Sequence, residues 1–179
     1  GEIDPHAWNT LTNGVIYVEN IAAAMAAADA GNADAYKANA ASYIARLRAL
    51  HASAAGTFGS LPEGGRTVVT AHDAFGYLAD SYGLNFLAPV GIDTEAEPSA
   101  SELAALIAHL KKTGAGALFV ENITSPSLIE QISKETGLKI GGRLFSDALS
   151  ERGGPATSYV AMFEHNLGAI MTALQDSGS

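Results

Sequence analysis

No proline falls between Pro5 and Pro62, and the stretch between them is rich in alanine. Nothing there removes an amide donor or locks φ, so long helices are the natural outcome. Val15–Ala30 reads as one helix, stopped at Gly31-Asn32, where Asn32 is a good N-cap for the next. The following pattern sets Tyr36, Ala40, Tyr43, Leu47, Leu50, Ala54 and Phe58 at helical spacing, with the aromatics expected in the core. From Ala33 to Phe58 this helix would extend about 39 Å, at about 1.5 Å per residue. A helix of that length without sustained heptads more often braces two lobes than sits within one.

Past Pro62 the pattern alternates. Strands are expected at Thr67–Thr70, Phe86–Pro89, Ala117–Glu121 and Lys139–Phe145. Helices are expected at Ala74–Tyr82, from Ser99 to about Lys112, between Pro126 and Gly137, and at Ser158–Leu174. Ser99 and Glu102 form a capping box, while Pro126 and Gly137 bracket their helix at its start and end. The expected fold class is therefore α/β: a four-stranded parallel sheet flanked by helices, preceded by one long helix. Neither a dinucleotide fingerprint nor a phosphate-binding loop is present.

Composition narrows the function classes. Of 179 residues, 47% are hydrophobic and 16% charged, enough for a sizeable core. The net charge of −9 disfavours nucleic acid and anionic membranes as partners and does no harm to cation capture. The absence of cysteine excludes thiolate zinc sites, iron–sulfur clusters and disulfides. No apolar run approaches the ~18–20 residues of a membrane span, and the start lacks a signal-peptide pattern. A cytosolic protein and the remainder of an exported one both fit.

Three segments carry metal-grade side chains: Asp4-Pro5-His6-Ala7-Trp8, Thr70-Ala71-His72-Asp73-Ala74-Phe75 and Leu144-Phe145-Ser146-Asp147-Ala148-Leu149. In open α/β sheets ligands bind at the carboxyl ends of strands, which is where His72, Glu121 and Asp147 fall. Two imidazoles and a carboxylate suit Zn(II) but leave a four-coordinate shell one ligand short. Taken singly, each has a plainer reading: His72 as a hydrogen-bonding residue, Asp147 as an N-cap, Glu121 as a partner of loop backbone. Trp8 reads as a packing anchor, and His51, His109 and His165 as structural. A two-His, one-carboxylate site also describes a zinc hydrolase with Glu121 as general base, although no H-E-x-x-H helix is present.

At these motifs the chain resembles the metal-binding substrate-binding proteins of bacterial zinc and manganese ABC transporters, the ZnuA/TroA-like cluster, and within it the zinc-specific members. The resemblance also rests on Asn39-Ala40-Ala41-Ser42-Tyr43, Glu97-Pro98-Ser99 and Phe119-Val120-Glu121-Asn122. It implies two α/β lobes bridged by a long helix, with the ion in the cleft between them. Residues 1–31 would then be the tail of the first lobe, 32–60 the bridge and 61–179 the metal-binding second lobe. His6 would be a ligand from the first lobe, His72 and Asp147 ligands from the second, and Glu121 would orient a ligand imidazole. Manganese relatives place Glu where His72 stands, so Zn(II) is expected ahead of Mn(II). The resemblance further implies no catalysis, a periplasmic location, and delivery of zinc to an ABC permease, with a metallochaperone as a further partner. Only three residues precede Asp-Pro-His, so most of the first lobe, with a further histidine ligand, is expected to be absent. The helix face it would cover would then be bare and open to self-association. Affinity is expected to fall below about pH 6.5, where imidazoles take up protons.

Overall fold

The alanine-rich stretch folds as two helices, α1 (Leu11–Ala28) and α2 (Ala33–Gly59), joined by a 3-10 turn at Ala30–Asn32. The computed structural model describes residues 3–62, 65–92, 98–113 and 115–177; Glu97 lies outside them. With 27 residues, α2 is about 40 Å long. Helix α1 starts four residues earlier than the sequence pattern suggests, because Leu11 is drawn into the core at 1% exposure. Asn32 does occupy the N-cap of α2, but its side chain does not cap; the amide donates instead to Asp29 Oδ2 at 2.8 Å.

The apolar stripe of α2 is only partly core. Leu47, Ala54 and Phe58 are buried, together with Ile44, whereas Tyr36 and Tyr43 are half-buried. The expectation that all three aromatics are core therefore holds for Phe58 alone. The first half of α2 packs on α1, and a groove of about 380 Å³ stays open between Val18, Ile21 and Met25 on one side and Tyr36, Ala40 and Tyr43 on the other. On α1, Ile16, Tyr17, Ile21 and Met25 are exposed, and Glu19 is its one formal charge.

After α2 the chain alternates through β1 (Thr67–Val69), α3 (Gly76–Tyr82), β2 (Asn85–Leu87), α4 (Ala100–Thr113), β3 (Ala117–Glu121), α5 (Ser127–Thr136), β4 (Ile140–Leu144) and α6 (Tyr159–Ser177). The four strands form one parallel sheet in the order β2-β1-β3-β4. Alternate residues of each strand face opposite layers. Val68, Ala117, Phe119 and Leu144 join Leu47, Phe58, Leu78 and Phe163 in the layer built by α2, α3 and α6. Val69 and Leu118 face Ile107, Leu110, Ile129 and Ile132 of α4 and α5. Burying a side chain such as Phe119, with no exposed surface, contributes about 1.5–3 kcal/mol.

The local signals read from the sequence act as physical devices. Ser99 and Glu102 make the reciprocal capping box: Ser99 N–H donates to Glu102 Oε2 at 2.9 Å and Glu102 N–H to Ser99 Oγ at 3.2 Å. Gly137 ends α5 at φ 79°, a left-handed conformation that only glycine adopts readily. Among the described residues no helix is long and apolar enough to cross a membrane.

Candidate metal centre

The strand order reverses direction of growth between β1 and β3, and ligands of open α/β sheets gather in the crevice beyond such a point. His72 lies three residues past β1, held by a parallel bridge to Val90, and Glu121 is the last residue of β3. Asp147 lies three residues past β4. His6 arrives from the other end of the chain, in a turn closed by the Asn9 N–H donating to the His6 carbonyl at 2.9 Å.

Their side chains meet. His6, His72 and Asp147 offer ligand atoms that all lie within 4.8 Å of one another. His6 Nε2 is 3.6 Å from Asp147 Oδ1, and His72 Nε2 is 3.0 Å from Asp147 Oδ2. Tetrahedral zinc, with bonds of about 2.0–2.1 Å, sets its ligand atoms about 3.3–3.4 Å apart, so these spacings fit one small cation. His72 is fully buried and His6 is 5% exposed, while the Asp147 side chain is 24% exposed and marks the open side.

Each imidazole presents Nε2 to this point because a carboxylate holds its Nδ1. His72 Nδ1 lies 2.8 Å from Glu121 Oε2, and His6 Nδ1 lies 2.7 Å from Asp4 Oδ1. Such pairs fix the tautomer and ring orientation of a ligand histidine. Glu121 is 2% exposed and outside the metal-facing group. Its Oε1 accepts the backbone N–H groups of Ala71 and His72 at 2.9 and 3.0 Å. Glu121 thus faces the His72 ring with one oxygen and the backbone with the other, and stands behind the imidazole instead of among the metal-facing atoms.

Electrostatics follow from the same contacts. Burial alone would lower the His72 pKa, but Asp147 and Glu121 on its two nitrogens outweigh burial and raise it to about 9. Burial pushes Asp147 up, yet His72 and His6 hold it below the ordinary carboxylate value. At neutral pH His72 thus carries a proton where a cation would bind. The raised value sets the proton that a cation would have to displace from His72 above the range of an ordinary imidazole.

Several contributors escaped the sequence reading. Asp4, two residues before His6, also accepts the His6 backbone N–H at 2.9 Å, an Asx turn whose signal is an acid two positions ahead of the histidine. Trp8 does more than pack: its Nε1–H donates to the carbonyl of Ser146, next to Asp147, at 2.9 Å. His51 pairs with Tyr82 Oη at 3.2 Å and His165 Nε2 with the Arg143 carbonyl at 2.9 Å, both away from the centre.

Residues 1–173 match the family described as the zinc-uptake complex component A, periplasmic (ZnuA). The chain belongs to the ZnuA family. Among curated relatives it is 36% identical over 174 residues to the iron ABC transporter substrate-binding lipoprotein MtsA of Streptococcus pyogenes serotype M1, covering 97% of this chain and 56% of that protein. It is 33% identical, with the same coverage, to the metal ABC transporter substrate-binding lipoprotein ScbA of Streptococcus cristatus. The chain thus spans about half the length of these ZnuA-family relatives, which are named as transporter components and not as enzymes. The periplasmic zinc binding protein TroA from Treponema pallidum superposes with a TM-score of 0.91 at 30% identity, over 97% of this chain and 65% of that one. A manganese-bound periplasmic metal binding protein from Candidatus Liberibacter asiaticus gives 0.85 at 31% identity, over 97% and 64%. At these TM-scores the chain shares its α/β fold with those metal binding proteins over nearly its whole length.

Proposed function

We propose that this chain carries most of a Zn(II)-capture site in an ABC-transporter substrate-binding protein that works outside the cytoplasm and hands the ion to a membrane permease. The observation that carries the reading is the convergence of His6, His72 and Asp147, with each imidazole held by its own carboxylate. Asp147 balances part of the ion's charge, and the two Nε2 atoms supply lone pairs. Two nitrogen donors against one oxygen donor favour zinc over the harder Mn(II). Zinc is the cargo, so no reaction follows from its binding.

In this reading residues 61–179 form the lobe that brings His72 and Asp147, residues 32–60 the bridging helix, and residues 1–31 the segment that brings His6. His6, His72 and Asp147 leave a tetrahedral shell one ligand short, so a fourth donor completes it in this reading. Docking of a permease, and of a metallochaperone that loads the site, belongs to the whole protein. The apolar face of α1 is where we place self-association of this chain; a monomer at high concentration by analytical ultracentrifugation would exclude it. The metal assignment is tested by calorimetry with Zn(II) on the chain and on His72→Ala. Loss of measurable binding is expected, and unchanged affinity would overturn the reading.

A further inference from the structure

Helix α6 carries no ligand, yet it touches both ends of the ligand set. At its first residue the Tyr159 hydroxyl donates to the carbonyls of Trp8 and Thr10 at 2.8 and 3.0 Å, across more than a hundred residues of sequence. These carbonyls belong to the turn that presents His6. Two helical turns on, Asn166 is 1% exposed and grips Phe145, two residues before Asp147. Its Oδ1 accepts the Phe145 N–H at 3.0 Å and its amide donates to the Phe145 carbonyl at 2.7 Å. Residues seven apart lie on one face of a helix, about 10 Å along its axis.

The sequence makes room for this contact. A Cβ on Gly14 would stand 2.5 Å from the Tyr159 hydroxyl, so only glycine there lets the phenol reach the turn. The ring is braced by an edge contact with Phe163, centroids 5.0 Å apart. The turn itself is buried, with Asn9 and Thr10 at 1% and 2% exposure, and Asn9 donates to the Ala74 carbonyl at 2.9 Å. His6 is thereby fastened to the same unit that carries His72 and Asp147.

We infer that α6 acts as a ruler for the metal centre, with Tyr159 and Asn166 as positioning residues that set the separation of His6 from Asp147. This rests on the metal-capture reading above. Neither side chain faces the ion; each fixes the backbone of a segment that bears a ligand. Losing the Tyr159 hydroxyl frees the His6 turn while ring packing is kept, and the binding site loses its preset spacing.

The test compares Tyr159→Phe, Gly14→Ala and His72→Ala with the parent chain, using Zn(II) calorimetry and the visible spectrum of bound Co(II). Tyr159→Phe is expected to lower Zn(II) affinity about tenfold, the lower end of the range for groups that orient ligands. It should also change the intensity of the Co(II) d–d bands, which a loss of stability alone would not do. Gly14→Ala, which displaces the same hydroxyl from the other side, should give the same two changes, and it serves if Tyr159→Phe does not fold. Parent-like affinity and spectrum in whichever of these variants folds would overturn the ruler while His72→Ala still abolishes binding. Unchanged binding in His72→Ala would overturn the metal-capture reading itself.

Discussion

Glu121 holds His72 from two directions at once: one carboxylate oxygen takes the backbone N–H groups of Ala71 and His72, and the other stands 2.8 Å from Nδ1 of the ring. The backbone bonds fix where the loop leaves β1, and the ring contact fixes which nitrogen faces the cleft. Glu121→Gln separates these roles. The amide oxygen can keep the backbone bonds, but the amide nitrogen then faces Nδ1 and forces the ring proton onto Nε2. Zn(II) affinity should fall about 10- to 100-fold with little change in fold, as read by calorimetry and circular dichroism. Glu121→Ala should instead destabilise the protein by about 2–5 kcal/mol, because two buried N–H groups lose their acceptor. Equal losses of stability in the two variants would contradict this division.

The pH response has opposite signs with and without metal. In the metal-free protein His72 has a pKa raised from 6.5 to about 9. The stability this provides is fully present below about pH 6.5 and is lost as pH rises through about 9. Asp147 is lowered, so its share is present above its ordinary value of 3.8 and is lost as pH falls through the folded value. Zinc must displace the His72 proton, so affinity should rise over the same interval in which metal-free stability declines. Thermal melts and zinc titrations at pH 6.5, 7.5 and 8.5, in buffers of differing ionisation enthalpy, should show both trends and release of one proton per ion at neutral pH. A metal-free melting temperature that rises across that interval would contradict the charged state assigned to His72.

The strand–helix alternation, the capping box at Ser99 and the stop at Gly137 were legible because each depends on residues close in sequence. So was the convergence of His72, Glu121 and Asp147, since a parallel sheet sends all its strand ends to one edge. The parts that were not legible depend on partners far away. The start of α1 is set by burial of Leu11, and the half-burial of Tyr36 and Tyr43 by how little of α2 the α/β layer covers. The indole of Trp8 finds its acceptor 138 residues away, at Ser146. The protonation range of His72 could not be read from an imidazole alone, because two carboxylates set it, one at the end of β3 and one in the loop past β4.

Asp4 repeats for His6 the service Glu121 gives His72, but in a more open setting, with 26% of its side chain exposed. Its Oδ1 accepts both the His6 backbone N–H and the ring, so Asp4→Asn can keep both acceptor contacts and loses only the charge. The effect on Zn(II) affinity should therefore be smaller than for Glu121→Gln, about threefold to tenfold. Calorimetry of the two variants side by side checks the order. A larger loss from Asp4→Asn would mean that charge next to His6, and not tautomer control at His72, governs the site.

His72→Glu tests why an imidazole stands at this position. The substituted carboxylate would sit among Glu121 and Asp147, groups now 2.8 and 3.0 Å from the ring nitrogens, at a position that is itself fully buried. Three carboxylates confined together repel, and at least one holds its proton well above the usual range. Metal-free stability should then increase as pH falls from 8 to 6, the same direction as in the parent but carried by a protonated carboxyl instead of an imidazolium. An oxygen-rich donor set also favours a harder ion. Competition titrations should show zinc affinity falling by more than a factor of ten while Mn(II) affinity changes less, narrowing the gap between the two. If zinc keeps its full lead in His72→Glu, the nitrogen donors at this position do not set metal preference.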